Sequence, residues 1–146
     1  MVKLLLQKGA DLNQKNDKKI TALMIAAKTL HTNVLELLLK QDAEVNAATV
    51  NGWTPLMYAA QHNRQDNMKL LLSYNADPDF ATRENWTALC MAARNGSIEI
   101  ARHLLDKKAN INHQNANGWT PLMLASQEID HRTAKLLVER SADLNR

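Results

Sequence analysis

Glycine, proline, aromatic residues and cysteine are all scarce in this 146-residue chain. Four glycines and three prolines are too few for the turns of a sandwich, a barrel or a doubly wound sheet. Aromatics at 4% leave little of the filler that strands prefer. The same scarcity argues against a flexible, linker-like chain. The expectation is a helical protein with short, stereotyped turns. The single cysteine, Cys90, has no partner for an intramolecular disulfide, which excludes a disulfide-stapled secreted module. The apolar run Leu4-Leu5-Leu6 is far too short for a signal-peptide core, and no stretch approaches the roughly eighteen apolar residues of a membrane helix. A reducing compartment, cytoplasmic or nuclear, without membrane insertion, is the expected setting. The net charge of +3 comes largely from the first twenty residues, where five lysines face two aspartates. No sustained basic stripe follows, so no nucleic-acid partner is expected.

The chain does have internal repetition. Thr21, Thr54, Thr87 and Thr120 recur every thirty-three residues, as do Leu23, Leu56, Leu89 and Leu122, and Ala26, Ala59, Ala92 and Ala125. Sixteen residues after each Thr begin the triplets Leu37-Leu38-Leu39 and Leu70-Leu71-Leu72, with His103-Leu104-Leu105 and Leu136-Leu137-Val138 in the same slots of the next two units. Each unit closes alike, with Ala43-Glu44-Val45-Asn46, Ala76-Asp77-Pro78-Asp79, Ala109-Asn110-Ile111-Asn112 and Ala142-Asp143-Leu144-Asn145. The Thr is a helix N-cap, followed by Pro55 or Pro121 at a position whose N–H is not needed. The Leu and Ala positions then share one helical face. Asn95-Gly96-Ser97 reads as a turn whose Gly ends one helix and whose Ser caps the next. Asn51-Gly52 and Asn117-Gly118 are hairpin-turn signals. Helices this short are marginal alone and must bury their faces on neighbouring units.

The stretch Asn51-Gly52-Trp53-Thr54-Pro55-Leu56-Met57-Tyr58-Ala59-Ala60, with Leu70-Leu71-Leu72 and Ala76-Asp77-Pro78-Asp79 after it, resembles an ankyrin repeat. The resemblance implies an all-α ankyrin-repeat solenoid of stacked helix-turn-helix units with β-hairpin-like loops. It divides the single array of 1–146 into a partial repeat 1–16 and repeats 17–49, 50–82, 83–115 and 116–146. The sequence departs from the family pattern in three places. Met24, Met57, Cys90 and Met123 stand where the family usually has His, and are expected to pack as apolar residues. The Gly before Ala-Asp survives only as Gly9; Asp42, Asn75, Lys108 and Ser141 replace it, and a left-handed Lys108 or Ser141 costs about 1 kcal/mol. The inter-helix Gly survives only as Gly96, with Leu30, Asn63 and Ile129 elsewhere, and Ile129 makes the last turn the least regular. An array less stable than an idealised one is expected. The chain opens inside a second helix, Val2 to Lys8, and closes at Arg146 without a distinct polar cap; either the array continues or its ends self-associate end to end.

No nucleophile elbow, phosphate loop, HExxH or CxxC is present. His31, His62, His103, His113 and His131 occupy five different repeat slots, so no metal shell is implied, and Cys90 reads as a small buried side chain. No catalytic residue, metal or cofactor is expected, and the protein is read as not an enzyme. What remains is a surface. All three tryptophans, Trp53, Trp86 and Trp119, share one slot, with Ile20 in the first unit. By the resemblance this slot lies on the hairpin fingers facing the concave groove. The slots beside it hold Tyr58, Met91 and Leu124, then Gln61, Arg94 and Gln127, then His62, Asn95 and Glu128. Trp, Tyr, Met and Arg are the residues that carry protein interfaces, although a Trp in this slot also serves packing along the finger row. Asn46 and Asn112 occupy the loop slot that resembles one hydroxylated by a dioxygenase in animal cells; a structural Asn bonding the loop backbone is the preferred reading. The expected function is a non-catalytic protein-protein interaction scaffold. The alternatives are a recruitment segment of a larger enzyme, channel or effector, and a self-associating structural array.

Overall fold

The computed structural model describes Leu4 and residues 7–140. Most of the segment Val2 to Lys8, Ser141 and the closing Ala142-Asp143-Leu144-Asn145 lie outside the described residues. Eight helices are found there: α1 Ala22–Lys28, α2 Thr32–Lys40, α3 Pro55–Gln61, α4 Gln65–Ser73, α5 Ala88–Arg94, α6 Ile98–Asp106, α7 Pro121–Ala125 and α8 Arg132–Glu139. No strand is assigned among the described residues. The first helices of each pair stack in one row, α1 on α3 on α5 on α7, and the second helices form a parallel row beside it. The architecture is the all-α solenoid that the repeat implied.

Each first helix starts for the same local reason. The hydroxyls of Thr21, Thr54, Thr87 and Thr120 accept the N–H three residues on, at 3.3, 3.4, 3.3 and 3.3 Å. The Thr residues themselves are buried, so the caps also serve as core. The second helices start differently. Ser97 occupies the N-cap of α6 but makes no side-chain cap bond, and the same holds for His31, Arg64 and His131. The sequence reading of Ser97 as a working cap is thus corrected.

The core is a continuous strip of small and aliphatic side chains. Ala27, Ala59, Ala60, Ala92, Ala93 and Ala125 are completely buried where the first helices touch. Leu35, Met68, Leu71, Ile100, Leu104 and Leu137 are completely buried from the second-helix row. Met24, Met57 and Cys90 are core residues and Met123 is half-buried, as expected of apolar packing in that slot. The Thr87 hydroxyl lies 3.4 Å from the Cys90 sulfur, and burial pushes the Cys90 thiol above its ordinary pKa. Cys90 is therefore protonated and shielded rather than nucleophilic.

The units are also stitched outside the core. Asn13, Asn46 and Asp79 accept, through their side-chain oxygens, the N–H of Glu44, Asp77 and Asn110 at 2.9, 2.9 and 2.7 Å, each bond reaching into the following unit. Asn46 thus has the backbone-bonding role.

The left-handed positions fall where family glycines were missing. Asp42, Asn75 and Lys108 have φ of 61°, 61° and 63° after their helices. Asn63 and Gly96 turn between helices at 53° and 64°. Leu30 and Ile129 do not, since neither is among the positive-φ residues. They are 77% and 98% exposed, and α7 is only five residues long.

Without a left-handed residue at Leu30, α1 ends by another device. In the next two units the N–H groups of Asn63 and Arg64 bond the carbonyls of Ala60 and Ala59, and those of Gly96 and Ser97 bond Ala93 and Ala92. In the first unit the corresponding carbonyls, Ala27 and Ala26, are taken by the Asn67 side-chain amide at 2.9 and 3.2 Å. The same amide donates to Thr29 O at 2.9 Å, its oxygen accepts from the Thr32 hydroxyl at 2.8 Å, and Arg64 Nε donates to Lys28 O at 2.9 Å. Two side chains of the second unit thereby terminate a helix of the first.

Candidate interaction groove

The connections between units form a row of fingers. At each tip a side-chain oxygen two or three residues before the turn folds the chain back. Asn16, Thr49, Thr82 and Asn115 accept the N–H of Ile20, Trp53, Trp86 and Trp119 at 2.9, 3.0, 3.1 and 3.0 Å. The turn residue that follows is left-handed in every finger: Lys19, Gly52, Asn85 and Gly118. Neighbouring fingers are joined by single backbone bonds, Val50 N–H to Lys18 O, Arg83 N–H to Asn51 O and Ala116 N–H to Glu84 O, at 3.1, 3.1 and 2.9 Å. Gly52 is needed here for more than its φ of 83°, because a Cβ would stand 2.9 Å from Thr82 Cα.

These bonds place the tryptophans in register. Trp53 and Trp86 are half-buried and pack against the core, while Trp119 is exposed. The Trp53 and Tyr58 rings lie 5.3 Å apart at 42°. The Arg94 guanidinium sits over the Trp86 ring, 5.4 Å from its centroid. Burial raises the Tyr58 phenol pKa, so that ring stays neutral.

Two clefts open between the fingers and the first helices. The larger, about 410 Å³, brings together Trp53, Gln61, Trp86, Met91 and Arg94 of the residues expected at the groove, with Asn51, Arg83 and Glu84 added by the fingertips. The second, about 300 Å³, holds Ile20, Trp53, Tyr58, Gln61 and His62 beside Lys18. Met91 is only 3% and Leu124 only 5% exposed, which makes them groove floor or core rather than surface. Asn95 caps α5 and donates to Gln61 O at 3.3 Å, so its amide is engaged within the stack. Gln127 is exposed, Glu128 is half-buried beside the α5–α6 turn, and Trp119, Leu124, Gln127 and Glu128 line neither cleft. The fingertip side chains Arg83, Glu84 and Lys18 were not singled out from the sequence. Their only signal was their place beside the turn positions, where side chains must point outward.

The family model for ankyrin repeats (3 copies) matches residues 1–82 and again residues 74–146. The chain belongs to the ankyrin repeat family. No curated protein matches the sequence. Ankyrin repeats are generally protein–protein interaction modules and typically non-catalytic. Among the described residues no group of three or more His, Cys, Asp or Glu converges as a metal shell. The His113 ring instead bonds Asn85 O at 2.9 Å, between neighbouring fingers. No described helix is long and apolar enough to cross a membrane.

Proposed function

We propose that this ankyrin array is an intracellular scaffold, cytoplasmic or nuclear, that binds a partner protein along its fingers and first helices. The observation that carries the reading is the pair of clefts that share Trp53, the larger also lined by Trp86, which hydrogen-bonded fingertips preform. A preformed surface loses little conformational entropy on binding, and half-exposed Trp offers apolar area with a polar edge. The test is affinity capture of partners by wild-type protein and by the Trp53→Ala/Trp86→Ala variant, followed by titration of the purified partner. Each substitution is expected to weaken binding by about 2 kcal/mol or more. Lys69→Ala, an exposed change in the second-helix row, is the control and leaves binding unaltered. Binding that survives both Trp substitutions defeats the reading.

A second reading, end-to-end association of copies, is favoured by one further observation. Ala22, Ile25, Val34 and Leu38 border an apolar hollow of about 430 Å³ on the first described helix pair. Of the equivalent slots in later units Tyr58 is half-buried and Met91 and Leu124 are 3% and 5% exposed, whereas Ile25 is 45% exposed. Light scattering that shows concentration-dependent growth, abolished by Ile25→Glu, supports association; a strict monomer at high concentration dismisses it.

A further inference from the structure

The proposed function leaves open what the larger cleft would accept, and its side chains narrow the choice. The indoles of Trp53 and Trp86 and the side chain of Met91 give its lining an apolar part, beside the polar Asn51, Gln61 and Thr82. Its rim carries two guanidinium groups, Arg83 and Arg94, neither of which has an ion-pair partner among the described residues. Elsewhere in the same structure arginines do find carboxylates: Arg140 meets Asp106 at 2.8 Å, and Arg132 meets Asp130. The cation–π contact with Trp86 holds Arg94 in place while leaving its hydrogen-bond donors in the guanidinium plane unused. One rim carboxylate, Glu84, is present, so the rim carries two positive charges against one negative.

We propose that this cleft docks a protein segment in which an aliphatic side chain stands beside an acidic one. The aliphatic group enters between the two indoles, and the carboxylate is taken by Arg94, with Arg83 strengthening the field. This deepens the scaffold reading and rests on it. A single-stranded nucleic acid is the competing occupant for any Trp–Arg surface. It fits less well, because stacked bases need open ring faces, and Arg94 covers a face of Trp86 while Tyr58 packs against Trp53.

The experiment is selection of a displayed random-peptide library on the folded wild-type chain, followed by titration of the enriched peptides against Arg94→Gln, Arg83→Gln and Trp119→Ala proteins. Enriched peptides are expected to share an Asp or Glu next to Leu, Ile or Val. They should lose about tenfold in affinity on Arg94→Gln, the scale of one charge-assisted contact, and less on Arg83→Gln. Raising the salt concentration should weaken them further. The unfolding midpoint of Arg83→Gln should match wild type, and that of Arg94→Gln should fall only slightly, since both side chains are exposed and the latter gives up its contact with Trp86. The proposal is overturned if no peptide enriches, if enriched peptides lack acidic residues, or if a thymidine oligonucleotide displaces them. Peptides insensitive to both Arg changes but lost with Trp119→Ala overturn the cleft assignment and leave the scaffold reading standing. Peptides insensitive to every groove substitution overturn both.

Discussion

Replacing Asn67 by Ile probes how this array closes its first turn. The slot holds Val34, Ile100 and Thr133 in the other units, so by pattern alone Asn67→Ile looks like a stabilising repair. The hydrogen bonds give the opposite answer. Asn67 is 1% exposed and its amide serves three carbonyls of the α1 terminus. Ala26 O keeps bonds from the Thr29 N–H and hydroxyl, at 3.1 and 2.9 Å. Ala27 O and Thr29 O keep no other partner among the described residues, and the Thr32 hydroxyl loses its acceptor. Two stranded carbonyls cost about 1–3 kcal/mol each, less where water reaches the half-buried Thr29. The larger apolar side chain returns about 1–2 kcal/mol. The net expectation is a loss of about 2–3 kcal/mol, a drop of roughly 1–2 M in the urea midpoint at ordinary slopes. Amide exchange should show the loss as faster opening of α1 and α2, since repeat arrays fail locally. Adding Leu30→Gly should recover 1 kcal/mol or more of that loss, because residue 30 could then turn left-handed and supply the backbone donors used at Asn63 and Gly96. An Asn67→Ile protein as stable as wild type, or a double variant with no recovery, would refute the reasoning.

Three further outcomes follow from the same geometry. Thr133 stands in the Asn67 slot with a buried hydroxyl that has no partner among the described residues, so Thr133→Val should raise stability by about 1 kcal/mol in urea unfolding. Lys108 is held at φ 63° without the tolerance of Asn or Gly, so Lys108→Gly should stabilise by about 1 kcal/mol, read by the thermal midpoint. Gly52→Ala should destabilise more than Gly118→Ala, since both violate a left-handed φ but only the first drives a Cβ to 2.9 Å from a neighbouring Cα; equal losses would show that backbone strain alone decides.

What could be read from the sequence was whatever each unit repeats on its own. The Thr caps, the Leu and Ala stripes and the left-handed slots after Leu39, Leu72 and Leu105 are set by residues a few positions apart, so four copies reveal them. Asn67 was missed because its partners lie 38 to 41 residues earlier for the amide, in another unit. Yet two departures from the pattern pointed to it: a missing glycine at Leu30 and a polar residue in an apolar slot one repeat later. Each alone looks like a defect, and together they are a compensated pair.

The groove shows a related limit. Ile25, Tyr58, Met91 and Leu124 share a slot, but their burial follows position in the stack more than residue type. Met91 and Leu124 are buried, Tyr58 is half-buried against Trp53, and Ile25 stands exposed. A slot in a solenoid therefore fixes where a side chain points but not whether a partner can touch it. That depends on the neighbouring unit's side chains and on the fingertips, which is why Arg83 and Glu84 entered the cleft while Met91 sank into its floor.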